Sequence, residues 1–186
     1  MKKILLVALL SLGLPLAMSQ VVLPQTPQPA LSFSFEDKDW GVEATTSPKT
    51  APFHGPTPIT IPGGRVIKTL ELKALLEREK RLLVVDVLYN KARKTIPGSV
   101  MMRGGGEAPF YAAEKARFSA ALEKLTEGDK TRAIVFLCLS SECWLSYNAS
   151  LYAIDAGYKD VLWYRGGTNA WAGASLEASS PQELVW

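Results

Sequence analysis

Apolar residues gather in three short runs, and each run predicts a buried β-strand. The runs are LLVVDV at 82–87, AIVFLC at 133–138 and VLWY at 161–164. Each is almost continuously apolar rather than alternating, which is typical of a strand covered on both faces of a sheet. VMM at 100–102 predicts one further short strand. The pattern therefore indicates a sheet whose central strands are buried.

Between these runs the apolar spacing changes to that of helices. One helix is predicted to begin at Thr69, its N-cap, because the leucines at 72, 75 and 76 share one face. Further helices are predicted over 108–125 and 145–156, the second followed by Gly157 as its C′ residue, and a last short helix ends at residue 172. Strands that alternate with helices predict an α/β fold with a parallel sheet.

The first residues have the pattern of a signal peptide. Lys2 and Lys3 precede a short apolar run, and small residues at the end of this segment predict cleavage after Ser19. The apolar run is shorter than the roughly 20 residues of a normal membrane span, and an uncleaved anchor is the alternative. We therefore expect a periplasmic or secreted protein with no stable membrane span after the signal peptide, residues 1–19, is removed.

The rest of the chain divides into three predicted parts. Residues 20–62 are rich in Pro, Ser and Thr and predict a linker or irregular arm, residues 63–176 form the folded domain, and residues 177–186 are a C-terminal tail. Loss of the two leader lysines lowers the formal net charge from +3 to +1. Because no basic stripe with interleaved aromatic residues occurs, we expect no nucleic-acid partner.

Both cysteines lie in the stretch FLCLSSECW at 136–144. Cys138 ends a predicted strand just before a helix, and sites of open α/β sheets lie beyond the carboxyl ends of strands. Unpaired N–H groups at a helix start stabilise a thiolate, which favours a nucleophilic Cys138 over a cysteine used only for packing. Cys143 is either a resolving thiol or the partner in a structural disulfide, and an exported protein permits that disulfide.

Four further residues are candidates. Asp86 ends a predicted strand near the predicted site, and it either orients loop amides as a catalytic residue or caps backbone N–H groups. Trp144 either packs or stacks on a flat cofactor such as a quinone. Arg165 is interpreted as a solvated or C-terminal charge. His54 is the only histidine and lies in the Pro-rich arm, so we expect neither a Ser–His–Asp triad nor a zinc site.

The order of these motifs resembles a rhodanese domain over about residues 64–172. IPGS at 96–99 is similar to the family's H-I-P-G-A turn, and GYKDV with GGTNAW is similar to its ending. The resemblance implies an α/β rhodanese-like fold, with a central mostly parallel sheet and helices on both faces. It places Cys138 at the catalytic cysteine, which carries a persulfide in active members. The implied binding loop consists of Leu139, Ser140, Ser141 and Glu142, with Trp144 after it.

A narrower resemblance is to the PQQ-dependent catabolism-associated CxxCW motif proteins. FLCLSSECWLSYNAS, the upstream FHGPTPITIPGG and the leader carry it. These are exported rhodanese-like proteins encoded near quinoprotein alcohol dehydrogenases. The resemblance implies association with PQQ or a quinoprotein, and a periplasmic PQQ-dependent dehydrogenase or an electron-transfer protein as partner. In this chain four residues, rather than two, separate the cysteines.

Departures from ordinary rhodaneses weaken thiosulfate sulfurtransfer. Cys143 stands where the family has an arginine after its loop, Leu88 replaces a second arginine, and Thr95 replaces the turn histidine. Glu142 would repel thiosulfate.

Three functions are therefore predicted, and the first is preferred. The first is thiol redox chemistry in PQQ-dependent alcohol or methanol oxidation, with Cys138 attacking and Cys143 resolving. The second is a persulfide sulfurtransferase that uses Cys138. The third is a non-catalytic binding module for a cofactor or a dehydrogenase, stapled by a Cys138–Cys143 disulfide.

Overall fold

The computed structural model describes residues 32–88 and 93–186, and the predicted signal peptide lies outside them. In the described residues, six strands form one sheet in the order β1-β5-β4-β2-β3-β6. Every neighbouring pair of strands is parallel. The strands are β1 (Arg65–Val66), β2 (Leu83–Asp86), β3 (Val100–Met101), β4 (Ile134–Leu137), β5 (Val161–Tyr164) and β6 (Gln182–Glu183). The helices are α1 (Thr69–Arg78), α2 (Ala112–Thr126), α3 (Trp144–Asp155) and α4 (Gly167–Gly173).

Helices cover both faces of this sheet. Alternate side chains of a strand point to opposite faces, so Phe136 packs in the cluster that includes Phe118 of α2 and side chains of α3. Its neighbour Val135 packs in the opposite cluster with Leu72 of α1 and Trp171 of α4. Burial on both faces explains why the central strands read as continuous apolar runs. The predicted α/β fold is confirmed, and the sheet is wholly parallel.

The beginnings of two helices differ in detail from the prediction. Helix α2 begins at Ala112, not at 108, because the Glu114 carboxylate accepts a hydrogen bond from the Tyr111 backbone N–H at 3.1 Å and fixes the first turn there. Helix α1 begins at Thr69, but Thr69 is not its N-cap. The Glu36 carboxylate reaches in from the arm and accepts hydrogen bonds from the Thr69 N–H at 2.9 Å and the Thr69 hydroxyl at 2.7 Å.

The described part of the predicted arm, residues 32–62, forms no helix but packs firmly on the domain through Arg165. Arg165 is only 1% exposed. Its guanidinium donates to the carbonyl of Glu36 at 2.7 Å and to that of Thr57 at 3.0 Å, and it lies 5.1 Å from the ring centre of Trp40. The prediction of a solvated Arg165 is therefore wrong: the residue follows β5 and holds the arm in place.

The last residues extend the sheet. Strand β6 pairs with β3 at the sheet edge, so the predicted tail contributes a strand to the fold. Trp186 donates its indole N–H to the carbonyl of Arg103 at 2.8 Å. Across the described residues, no helix has the length and apolar character needed to cross a membrane.

Candidate functional site

The two cysteines form a disulfide where β4 leads into α3. Cys138 directly follows β4, and Cys143 is the N-cap of α3. The loop between them folds back because Ser140 accepts two hydrogen bonds. Its carbonyl accepts from the Cys143 N–H at 3.1 Å, and its hydroxyl accepts from the Glu142 N–H at 3.2 Å. The Cα atoms of the cysteines are thereby held 6.4 Å apart, within the range that disulfides span.

The two sulfur-bearing residues are both buried, but not equally. Cys138 is 1% exposed and Cys143 is 7% exposed. Cys138 therefore lies deeper, against the sheet, and Cys143 lies on the outer side of the pair. Since thiol–disulfide exchange depends on access to the attacked sulfur, this small difference in residue exposure favours Cys143 as the sulfur that an incoming thiol attacks.

Ser146 and Trp163 lie behind Cys138. The Ser146 hydroxyl is 3.1 Å from Cys138 Sγ, and it accepts a hydrogen bond from the Trp163 indole N–H at 3.0 Å. An indole N–H only donates, so the Ser146 hydrogen remains free to be donated to the sulfur. This arrangement stabilises negative charge on Cys138. The sequence analysis missed Ser146, although its position three residues after Cys143 puts it on the same face of the helix as Cys143.

A segment of the arm closes over the outer side of the loop. The Gly55 N–H donates to the Glu142 carbonyl at 2.8 Å, and the Trp144 N–H donates to the Phe53 carbonyl at 2.9 Å. Three of the backbone N–H groups that were expected to be unpaired therefore donate hydrogen bonds. Those of Glu142 and Cys143 donate to Ser140, and that of Trp144 donates to the arm. The helix-start donors available to an anion are fewer than the sequence indicated.

The predicted binding residues lie together in this loop but differ in exposure. Leu139 is 36% exposed, whereas Ser141 is 2% exposed and its carbonyl accepts a hydrogen bond from the Thr57 hydroxyl at 2.6 Å. Ser140 and Glu142 are intermediate. Their binding role stays a prediction.

Trp144 is buried beneath the arm. It is 6% exposed, and its indole N–H donates to the Pro56 carbonyl at 3.1 Å. The edge-on ring of Tyr147 lies 5.1 Å away, centre to centre. These contacts favour packing over stacking on a cofactor.

His54 lies opposite Cys143. The two residues form an isolated antiparallel bridge. The histidine of the Pro-rich arm therefore lies beside the cysteine loop, and no local sequence pattern could have shown this pairing across the fold. In the part of the chain that the structure describes, no group of three or more His, Cys, Asp or Glu residues is placed to hold a metal ion.

Asp86 ends the strand next to β4 and organises a separate polar cluster. Its carboxylate accepts hydrogen bonds from the Leu88 N–H at 3.0 Å and the Thr95 hydroxyl at 2.6 Å, and it forms an ion pair with Arg93. Burial raises the pKa of Asp86, and the positive charge of Arg93 opposes that shift. Arg93 also donates to the Thr168 hydroxyl at 2.7 Å.

Asp86 therefore reaches the cysteine loop only indirectly. The Thr168 N–H donates to the Cys138 carbonyl at 3.0 Å, which connects the Asp86 cluster to the cysteine through Arg93. Asp86 caps a backbone N–H group, as one of its two interpretations required, and its catalytic role stays a prediction. The guanidinium at this edge comes from Arg93, not from position 88, where the rhodanese resemblance placed an arginine.

An all-parallel α/β domain with a cysteine at the end of a central strand and the start of a helix defines a rhodanese-like architecture. The model of the rhodanese-like domain family matches residues 69–174, which is more than half of the 186-residue chain. The chain therefore belongs to the rhodanese-like domain family. This membership is consistent with a sulfurtransferase or a thiol-related function.

Several solved structures are similar in fold. The polysulfide-sulfur transferase homodimer from Wolinella succinogenes has a TM-score of 0.47 at 16% identity, covering 66% of this chain and 80% of that chain. A full-length protein from Lactobacillus plantarum has a TM-score of 0.45 at 18% identity, covering 59% and 82%. An uncharacterized protein from Saccharomyces cerevisiae has a TM-score of 0.45 at 19% identity, covering 59% and 91%. Comparison with curated proteins finds no match. The family assignment rests on the family model.

Proposed function

We propose that this protein is an exported thiol–disulfide redox protein that acts through Cys138 and Cys143. The observation that carries the proposal is the disulfide between the cysteine that follows β4 and the N-cap cysteine of α3. While this bond is closed, Cys138 has no free sulfur valence and cannot carry a persulfide. The oxidised form is therefore suited to electron exchange with other thiols, not to sulfur transfer.

The burial of the two residues indicates the direction of exchange. Attack on the outer Cys143 sulfur expels Cys138 as a thiolate, which the Ser146 hydroxyl at 3.1 Å stabilises. A more stable leaving thiolate makes exchange faster. In the reducing direction, Cys143 attacks a substrate disulfide and Cys138 resolves the mixed disulfide. These roles are the reverse of those suggested by the sequence.

The biological setting of the proposal comes from the predicted leader and the CxxCW resemblance. We propose a periplasmic or secreted accessory protein of PQQ-dependent alcohol or methanol oxidation. Its partner would be a PQQ-dependent dehydrogenase or an electron-transfer protein that carries an exchangeable disulfide. Because the ring of Trp144 is buried, we assign any PQQ to the partner and not to this chain.

A stapled, non-catalytic binding module is the second candidate, and the burial of both cysteines favours it. In that case the disulfide would stay closed under cellular conditions and only shape the surface of the loop. Sulfur transfer is the third candidate, and it needs the disulfide to be reduced first so that Cys138 becomes free.

Turnover of a small-molecule disulfide distinguishes the three candidates. The redox function predicts that the reduced protein converts the substrate to thiols, and that Cys138→Ser traps a mixed disulfide on Cys143 while Cys143→Ser does not trap one efficiently. A mixed disulfide trapped only on Cys138 would mean that Cys138 attacks and Cys143 resolves. Absence of turnover together with resistance to reduction would support the staple. Cyanide-dependent transfer of sulfur from thiosulfate, with one extra sulfur on Cys138, would support the sulfurtransferase.

A further inference from the structure

His54 and Cys143 form a non-hydrogen-bonded antiparallel pair. The two hydrogen bonds of this bridge come from the flanking residues, from the Gly55 N–H to the Glu142 carbonyl and from the Trp144 N–H to the Phe53 carbonyl. The paired residues themselves exchange no backbone hydrogen bond, which is the geometry in which opposite residues approach most closely. Side chains at such positions stand on the same face, with Cβ atoms about 4.5–5.5 Å apart. The backbone therefore places the side chains of His54 and Cys143 next to each other on one face.

The packing of the flanking residues fixes this register. Phe53 and Trp144 belong to the next pair of positions and both pack into the apolar cluster with Tyr147. A shift by one residue would turn Phe53 away from that cluster, so the register is strongly specified. His54 is exposed while Cys143 is buried, so the imidazole lies on the solvent side of the sulfur.

The charges around this pair come from three elements. The arm contributes His54 and Lys49, whose ammonium lies 5.8 Å from the ring centre of Trp144. The loop contributes Glu142, directly before the cysteine, and the first turn of α3 carries no charged side chain. Because Cys143 is the N-cap, the positive end of the helix dipole also favours a thiolate there. His54 is the side chain in this set whose ring nitrogens can both accept and donate a proton.

We propose that His54 is the acid–base partner of the Cys143 thiol, an assignment that rests on the proposed redox function. Neutral His54 takes the proton of the Cys143 thiol, and the resulting thiolate attacks one sulfur of a substrate disulfide. The bond between the two substrate sulfurs breaks as the new mixed disulfide forms. The imidazolium then gives its proton to the substrate thiolate that leaves.

Cys138 completes the cycle. It loses its proton to solvent, and its thiolate attacks the Cys143 sulfur of the mixed disulfide. The Cys138–Cys143 bond forms, and the second substrate thiolate leaves and takes a proton from solvent. Two electrons pass from the protein dithiol to the substrate disulfide, and two substrate thiols are produced.

The test measures the alkylation rate of Cys143 as a function of pH. In the full mature chain carrying Cys138→Ser, Cys143 is the single thiol, and iodoacetamide reacts with its thiolate. Between about pH 5 and 9, a range that spans the ordinary pKa values of histidine and cysteine, we expect His54→Gln to lower the rate roughly tenfold at neutral pH. We also expect the midpoint of the pH profile to move upward. Coinciding profiles would overturn the assignment.

Two controls separate the possible failures. Lys49→Gln removes a nearby positive charge without touching the position opposite Cys143, and we expect it to change the rate by less than about twofold. An equal loss of alkylation rate in both variants would mean that positive charge anywhere near Cys143 causes the effect. That result would overturn the specific role of His54. Wild-type turnover of a disulfide tests the redox function by itself. With turnover present and the profiles coinciding, only His54 loses its role; without turnover, both proposals fall.

Discussion

The carboxyl ends of β2 and β4 lie side by side, with Asp86 and Leu137 as register partners, yet the two strands end in different kinds of cluster. After β4, two buried cysteines are joined by a disulfide. After β2, the buried groups are the charges of Asp86 and Arg93, whose partners are fixed hydrogen-bonding groups. Under the proposed function the first cluster opens and closes, whereas the second keeps one arrangement. This difference separates the candidate reaction centre from its scaffold.

Cover by the arm also distinguishes the two clusters. The arm donates to the Glu142 carbonyl and accepts from the Trp144 N–H, so it contacts the cysteine loop directly. The hydrogen-bond and ion-pair partners that the structure describes for the Asp86 carboxylate, by contrast, are Leu88, Arg93 and Thr95. Movement of the arm should therefore alter the chemistry of the cysteines and leave the Asp86 cluster intact.

The largest expected effect is that of Asp86→Ala on stability. The substitution leaves the guanidinium of Arg93, whose side chain is 12% exposed, without its counter-charge. Loss of one partner of a buried ion pair costs about 3–5 kcal/mol, and urea unfolding of the oxidised protein would measure it. Asp160→Ala, which breaks the exposed pair with Arg65, is the matched control and should cost less than about 1 kcal/mol. Equal losses would contradict the scaffold role.

Arg165→Ala should come next and should act on the cysteine cluster through the arm. It removes the hydrogen bonds to Glu36 and Thr57, and we expect a loss of roughly 3 kcal/mol. We also expect faster reduction of the disulfide by dithiothreitol, because the arm no longer closes the loop. Arg117→Ala, at an exposed ion pair, should change neither quantity appreciably. Unchanged reduction kinetics in Arg165→Ala would show that the arm does not limit the access of dithiothreitol to the disulfide.

Cys143→Ser should have a moderate effect. The chain-entropy model assigns about 2 kcal/mol to closure of so short a loop, and the comparison is urea unfolding of this variant against the oxidised wild type. Wild type kept in reductant is the control, and it should lose a similar amount. A much larger loss in the variant alone would mean that the Cys143 side chain stabilises the fold mainly by packing.

Ser146→Ala should have the smallest effect on stability and a selective effect on chemistry. It leaves the Trp163 indole N–H without its acceptor, which costs about 1–3 kcal/mol when buried, and we expect the lower end because the change is small. The hydroxyl that stabilises Cys138 is lost as well, so disulfide opening by glutathione should slow several-fold. Ser150→Ala, which removes a hydroxyl that donates to the Ser146 carbonyl, should leave the opening rate unchanged.

The sequence predicted those parts of the fold that depend on the local spacing of apolar residues. The central strands and the position of Cys138 followed from continuous apolar runs, because burial on both faces leaves a strong signal. The contacts of the arm could not be predicted, since Arg165 and Glu36 are 129 positions apart. The same holds for His54 opposite Cys143. The leader at 1–19 and the PQQ-dependent partner stay predictions.

The proposed function requires that Cys138 and Cys143 form a disulfide that opens and closes under physiological redox conditions. The most direct test is a mass-spectrometric free-thiol count on the mature exported protein, alkylated without reductant before and after equilibration with reduced glutathione. We expect no labelled cysteine before and two labelled cysteines after. Two labels before glutathione would contradict the resting disulfide, and no label after it would contradict the redox function and leave a structural staple.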